Sequence, residues 1–257
     1  MSARDNNSRR HARTLDAIER AVVTCTRCPE LRAYCAEVAR TKKREHRERA
    51  YWGKPVPAFG DPGARVLLVG LAPGAHGSNR TGRPFTGDAS GTWLYRALHR
   101  AGFANQAEAI ARDDGMVLHD VLITAALCCA PPGNKPTPEQ LRRCAPFLDA
   151  EIAVLRRLRV VVGLGAIGTR SAVEALRRAG FTFDARPEFA HGMEAVARRE
   201  NGAPVVLIAS YHPSRQNTNT GVLTEPMFDA VFRRAKHLLT QQGRAAGAGK
   251  RTTVKTV

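Results

Sequence analysis

The sequence predicts a three-layer α/β/α sandwich, with helices on both faces of a central, mainly parallel sheet of four strands, and three observations lead there. Short apolar runs bounded by turn residues, Arg65 to Val69, Val160 to Val162 and Pro204 to Ser210, read as strands buried on both faces. Amphipathic stretches of helical period alternate with these runs, the pattern of parallel strands joined by crossover helices. At 257 residues the chain is also long enough to bury a sizeable core in one domain.

Taken in order, residues 1–12 are polar and read as disordered, 13–242 as a single domain, and 243–257, basic and rich in Gly, Ala and Thr, as a disordered tail. Apolar residues at helical spacing from Ala12 to Val23 predict a first helix. Cys25-Thr-Arg-Cys28 follows, then Cys35, then a dense basic segment from Thr41 to Arg49. That segment either lies along phosphates or is a solvated face, and its composition does not separate the two. Pro55 to Gly63 is turn-rich and leads into the first strand. The stretch Gly91 to Gly102 predicts a helix ending at a glycine, and Val117 to Leu127 a second strand that runs into Cys128 and Cys129. Thr137-Pro-Glu-Gln140 reads as a capping box with proline at the first helical position, opening a helix toward Leu158. Ile167 to Arg178 predicts another helix, and Thr224 to Gln242 a closing one. Phe181 to Asn201 is ambiguous, irregular with a short strand.

Gly70 to Asp88 organises the rest. A loop at the carboxyl end of a parallel strand lies where open α/β sheets bind ligands. Here it carries five glycines from Gly70 to Gly87, the cationic or hydrogen-bonding His76, Arg80 and Arg83, the flat face of Phe85 and the carboxylate of Asp88. Right-handed crossovers bring two more strand-end loops to the same rim, one bearing Asn134 and the other Tyr211-His212-Pro213-Ser214-Arg215-Gln216-Asn217. That rim is the candidate site.

Composition narrows the class. A formal net charge of +17 points to a polyanion such as nucleic acid. No run of eighteen apolar residues exists to span a membrane, and Met1 to Arg13 lacks the apolar stretch of a signal peptide, so an intracellular, cytoplasmic protein is expected. Its cysteines are then metal ligands or buried thiols rather than disulfides. Cys25 and Cys28, with Cys129 and Cys144, offer four soft thiolates suited to zinc or an iron–sulfur cluster, and the spacing does not choose between them. Neighbouring side chains diverge on extended backbone, so Cys128 does not share a centre with Cys129; Cys35 and Cys128 read as ordinary buried or free thiols.

Gly163-Leu-Gly165-Ala-Ile-Gly168 matches the dinucleotide fingerprint, with Asp184 or Glu188 near the spacing for a ribose contact, but no convincing strand precedes either acid. These glycines read as close strand-to-helix packing. A nicotinamide-dependent oxidoreductase is therefore the weaker of two rival classes, the other being a non-catalytic DNA-binding metal protein.

Gly70-Leu-Ala-Pro-Gly-Ala-His-Gly with Arg80-Thr-Gly-Arg-Pro-Phe-Thr-Gly-Asp88, the Tyr211-His-Pro-Ser214 turn and the four cysteines together resemble the family 5 (type b) uracil-DNA glycosylases, from about Cys25 to Gln242. The sister family 4 has an acidic residue where this chain has Leu71, and other relatives have Asp or Asn where it has Ala72. The resemblance implies a structural 4Fe–4S cluster on Cys25, Cys28, Cys129 and Cys144, and a monomer that removes uracil, hypoxanthine and related deaminated bases from double-stranded DNA. It implies Asp88, His212 and Asn134 as catalytic residues. Ala72, Gly74, His76 and Phe85 would form the base pocket, and Arg80, Ser214, Arg215, Gln216 and Asn217 would contact DNA.

Overall fold

The computed structural model describes residues 14–248. The segments 1–13 and 249–257, and with them most of the expected disorder at the two ends, lie outside the described residues. The chain opens with helix α1 over residues 14–23, followed by α2 (Pro29–Thr41). Next come β1 (Phe59–Gly60), β2 (Val66–Gly70), the one-turn α3 (Ser78–Thr81), α4 (Ala89–Arg100) and β3 (Val121–Ala125). Then follow α5 (Pro138–Val154), β4 (Val160–Leu164), α6 (Gly165–Arg178), β5 (Thr182–Phe183) and β6 (Glu194–Arg198). The chain closes with β7 (Val205–Ser210), α7 (Arg215–Asn219) and α8 (Glu225–Ala248).

The four predicted strands form the centre of the sheet, in the order β3-β2-β4-β7 and parallel throughout. The sheet is larger than expected, with seven strands, because β1, β6 and β5 extend it antiparallel at its two edges. The ambiguous stretch after Phe181 thus contains two strands rather than one. Side chains alternate across β2, with Val66 and Leu68 packing among α4 and α8 and Leu67 and Val69 among α5 and α6. Both faces are covered, which is why the strand reads as a continuous apolar run rather than an alternating one.

Local chemistry sets several boundaries. The capping box forms as read: Gln140 N donates to Thr137 Oγ1 at 3.2 Å, and Thr137 N donates to Gln140 Oε1 at 2.9 Å. The helix it opens stops at Val154, before the predicted Leu158, and α8 runs past Gln242 into the expected tail. The fingerprint glycines serve packing: a Cβ on Gly168 would stand 2.4 Å from the Val69 carbonyl oxygen, so α6 rests directly on β2. Asp184 follows the short edge strand β5, is exposed and pairs with Arg198, away from any parallel strand end.

A buried ion pair fixes the long loop after β2. Arg83 is 2% exposed, and its Nη1 and Nη2 each donate to Asp114 at 2.7 Å while Nε donates to Thr86 Oγ1 at 2.8 Å. The guanidinium also lies over the rings of Phe59 at 5.0 Å and Tyr95 at 5.7 Å. Burial raises the Asp114 carboxyl, but Arg83 and the N–H groups of Ile110, Ala111 and Met116 outweigh that and hold it down at about 2. Its stabilising contribution is therefore present above the ordinary carboxylate range and is lost as pH falls from about 4 toward 2. Asp114→Ala leaves the Arg83 charge buried and unpaired, and is expected to lower stability by about 3–5 kcal/mol in chemical denaturation. A loss under about 1 kcal/mol contradicts that role.

Candidate active site at the carboxyl edge of the sheet

Three segments meet at the carboxyl edge of the sheet, as the crossovers predict. The loop after β2 brings Ala72, Phe85 and Asp88; the loop after β3 brings Asn134; the exit of β7 brings His212 and Arg215. They line a cavity of about 310 Å³, at the lower end of the range for small-ligand sites, about 300–1,000 Å³. Two larger cavities, about 500 and 550 Å³, flank α6, but arginines and glutamates dominate their polar lining and neither holds a histidine. Chemistry, not volume, selects the smaller one.

Asp88 has two jobs. Its Oδ1 accepts from Gly91 N at 2.9 Å and caps α4. Its Oδ2 packs against the backbone of the loop: a Cβ on Gly77 would stand 2.0 Å from it, so position 77 has room for glycine alone. Burial raises the carboxyl, opposed by the N–H groups of Gly91 and Ser90 and by the charges of Arg80 and Arg215. Asp88 is the one carboxylate on the cavity wall, where Leu71 and Ala72 stand beside it.

His212 is half-buried, and burial pulls its imidazole down to about 4, so at neutral pH it is uncharged, one ring nitrogen donating and the other accepting. Asn217 Nδ2 donates to the His212 carbonyl at 2.9 Å, and Ser214 Oγ accepts from Asn217 N at 3.3 Å to cap α7, which together fix the turn. The His212 ring lies 5.8 Å from that of Phe85, tilted by 31°. Phe85 has φ 51°, in the left-handed region, where a bulky residue costs about 1–3 kcal/mol and marks a functional constraint. Tyr95 Oη donates to the Pro84 carbonyl at 3.0 Å and helps to hold that conformation. Asn134 also has positive φ, 57°, which an asparagine tolerates, and reaches the cavity from a short 3-10 turn.

Four expected site residues are placed elsewhere. Arg80, expected at the DNA surface, is turned inward: it is 7% exposed, and its Nε and Nη2 donate to the carbonyls of His76 at 2.8 Å and Gly87 at 2.9 Å, clamping the loop from inside. His76 lies outside the pocket, its Nδ1 3.1 Å from Tyr51 Oη. Asn217 is spent on the His212 carbonyl, and Gln216 is exposed on α7 away from the cavity wall. Gly74, Ser214 and Arg215 do line the cavity, and so does Ser90, on the first turn of α4, which carried no motif to reveal it.

A second, narrow cavity is lined by Cys25, Cys28, Cys129 and Cys144, with Cys128 beside them. Among the described residues no three ligating side chains converge to hold a single metal ion; the thiols surround the space instead. Arg27, Arg32 and Arg143 also line it, and Arg32 Nη1 is buried with no hydrogen-bond partner among the described residues. A donor set of four thiols ringed by cations, with a buried N–H left over, fits an anionic iron–sulfur group. Cys35 is buried, its Sγ 3.7 Å from the Ala130 carbonyl.

The chain matches the family model described as the uracil DNA glycosylase superfamily over residues 57–236, and it belongs to that superfamily. Within it, the chain is 50% identical to a type-5 uracil-DNA glycosylase of Thermus thermophilus over 87% of its own length and 97% of that protein. It is 46% identical to the type-5 uracil-DNA glycosylase of Pyrobaculum aerophilum (83% and 88%), and 32% identical to the type-4 uracil-DNA glycosylase of the same organism (72% and 81%). Leu71 and Ala72, which pointed to type b, are thus in keeping with the stronger type-5 likeness.

The state of His212 is directly measurable. In a histidine-selective NMR titration its ring is expected to stay neutral from about pH 8 to 5 and to take a proton only near pH 4. A midpoint near its ordinary value, about 6.5, contradicts the buried, neutral imidazole.

Proposed function

We propose that the protein is a monofunctional glycosylase that, as a monomer, removes uracil and related deaminated bases such as hypoxanthine from double-stranded DNA. The observation that carries this reading is that Asp88, after β2, and His212, after β7, line one cavity of nucleobase scale together with Phe85. The glycosidic carbon is shielded within a duplex, so the nucleotide must swing out into such a cavity; this costs a few kcal/mol, least for a mispaired base. Exposed Arg215, at the cavity mouth on α7, is placed to enter the vacated space and meet phosphate. Phe85 supplies a face on which any base can stack, which supports a substrate range wider than uracil.

Cleavage of the glycosidic bond leaves positive charge on the sugar and negative charge on the departing base. The neutral His212 donates a hydrogen bond to the base carbonyl as that charge grows, without the cost of holding a buried cation. Asp88, anchored by its cap, presents its remaining lone pairs to the sugar side, steadies the cation and accepts the proton of the attacking water. Asn134 hydrogen-bonds the base edge or holds that water.

Cys25, Cys28, Cys129 and Cys144 would hold a 4Fe–4S cluster, which when bound would cross-link the turn after α1, the exit of β3 and α5. It would be structural, and no step of the reaction runs through it. Protein purified without oxygen is expected to carry about four iron atoms and a broad brown absorbance, lost in Cys144→Ser but kept in Cys35→Ser. A colourless protein with a single zinc contradicts this assignment.

Asparagine caps helices as well as aspartate does, so Asp88→Asn removes the charge and keeps the cap. In single-turnover assays on uracil-containing duplex, it is expected to lose about 10²–10⁴ in rate. His212→Ala is expected to lose about 10²–10³, with the fold intact by circular dichroism. Rates within about threefold of the unaltered protein in both variants reject these roles.

A further inference from the structure

The basic segment that the sequence left without a role lies beside the cavity. Between α2 and β1 the chain makes a short 3-10 turn (Arg44–His46) and is then strapped onto the long loop after β2. Lys43 N donates to Tyr51 Oη at 3.4 Å, and the same hydroxyl is 3.1 Å from His76 Nδ1. Trp52 N donates to the Arg80 carbonyl at 2.8 Å and Gly53 N to that of Asn79 at 3.0 Å, tying the strap to α3. Arg112 stacks on the Trp52 ring at 4.4 Å and closes it from the other side. The segment is thus held in one place by the loop that also carries Phe85 and Asp88. Arg215 is near enough to act on it: the Glu45 carboxyl is held below its ordinary value first by its hydrogen bond from Lys43, and Arg215 adds to that effect.

Lys42 to Arg49 sets five cations against two carboxylates. Glu45 is shared by Lys43 and His46, and Lys42 Nζ donates to the Arg47 carbonyl. Among the described residues no carboxylate pairs with Arg44, Arg47 or Arg49, and all three are exposed. The segment has no Phe, Tyr or Trp between Lys42 and Arg49 on which a base could stack, and its one ring, His46, is engaged by Glu45. Guanidinium groups on a fixed turn, without a stacking platform, suit phosphate rather than base edges.

We propose that residues 42–49 form an arm that binds backbone phosphates of the damaged strand beside the cavity mouth, with Arg44, Arg47 and Arg49 as its contacts. This rests on the reading of the protein as a DNA glycosylase. The arm holds the strand while the nucleotide is turned out and takes no part in bond breaking. Because its contacts are to the strand that enters the cavity, it serves single-stranded and duplex DNA alike, whereas Arg215, filling the vacated stack, serves the duplex.

The test uses the full chain with Arg44, Arg47 and Arg49 all changed to Ala. Fluorescence anisotropy then measures binding to a labelled duplex, and to its single strand, each with a non-cleavable abasic analogue, from about 50 to 200 mM salt. Each lost phosphate contact lowers the slope of log affinity against log salt by about 0.9 on duplex and 0.7 on single strand. The expected loss is thus about 2–3 in slope on both substrates, with single-turnover excision at saturating enzyme within about twofold of the unaltered protein. Arg156→Ala with Arg157→Ala, at the opposite edge of the sheet, is the control and is expected to leave the slope unchanged. An unchanged slope in the triple variant overturns the arm, as does a slower reaction at saturation, which would place these residues in the chemistry. If the unaltered protein excises no uracil, it is the glycosylase reading that fails, and the slope still reports on the arm.

Discussion

The bidentate pair of Arg83 with Asp114 is the constraint on which the site depends. It joins the end of the long loop after β2 to a turn before β3, under the rings of Phe59 and Tyr95, where both charges have left water. Such a pair adds little net stability over an apolar substitute, since desolvation offsets the attraction. What it supplies is geometry. Pro84, Phe85 and Thr86 follow directly, and the left-handed backbone of Phe85 persists only because its neighbours are over-determined. From Phe85 the chain reaches Asp88 in three residues, so the position of the carboxylate is inherited from the buried arginine.

Electrostatics divides the two principal side chains by role. Burial pushes both toward their neutral forms, but with opposite consequences. In the proposed reaction the neutral form of His212 is the useful one, a hydrogen-bond donor that a growing anion can strengthen. For Asp88 the proposed role needs the charged form, and the cap N–H groups with Arg80 and Arg215 work against the effect of its burial. Arg80 acts here from inside the loop: it clamps the loop and its charge favours the ionised carboxylate. Asp88 is the one carboxylate on the cavity wall, so this balance falls on it alone.

The parallel centre of the sheet was legible because Val66–Gly70 and its partners are buried on both faces, which leaves continuous apolar runs. The edge strands were not, since β1 and β5 have two residues each and their existence depends on neighbours supplied by tertiary structure. The rim was legible from chain order alone: three parallel strands must end on one side, and Asp88, Asn134 and His212 follow three such ends. The inward course of the loop's arginines was not legible for a physical reason. A guanidinium in a glycine-rich loop has the same composition whether it faces ligand or core, and its actual partners are a carboxylate some thirty residues on (Asp114) or backbone carbonyls that carry no sequence signal. His76 was misread likewise, its partner Tyr51 lying in a segment the motif did not include. The four thiols line one cavity, with Cys128 beside them, because the exit of β3 and α5 pack against the turn after α1.

Asp88 and His212 are proposed to act from one cavity on one extruded nucleotide. The most direct measurement is a crystal structure of the protein bound to duplex DNA that carries a 2′-fluoro-2′-deoxyuridine, whose glycosidic bond resists cleavage. The uracil is expected outside the helix, stacked on Phe85, its carbonyl within hydrogen-bond reach of the His212 ring and its sugar facing the Asp88 carboxylate. A uracil still paired in the duplex, or bound with either of those two side chains out of reach, would contradict it.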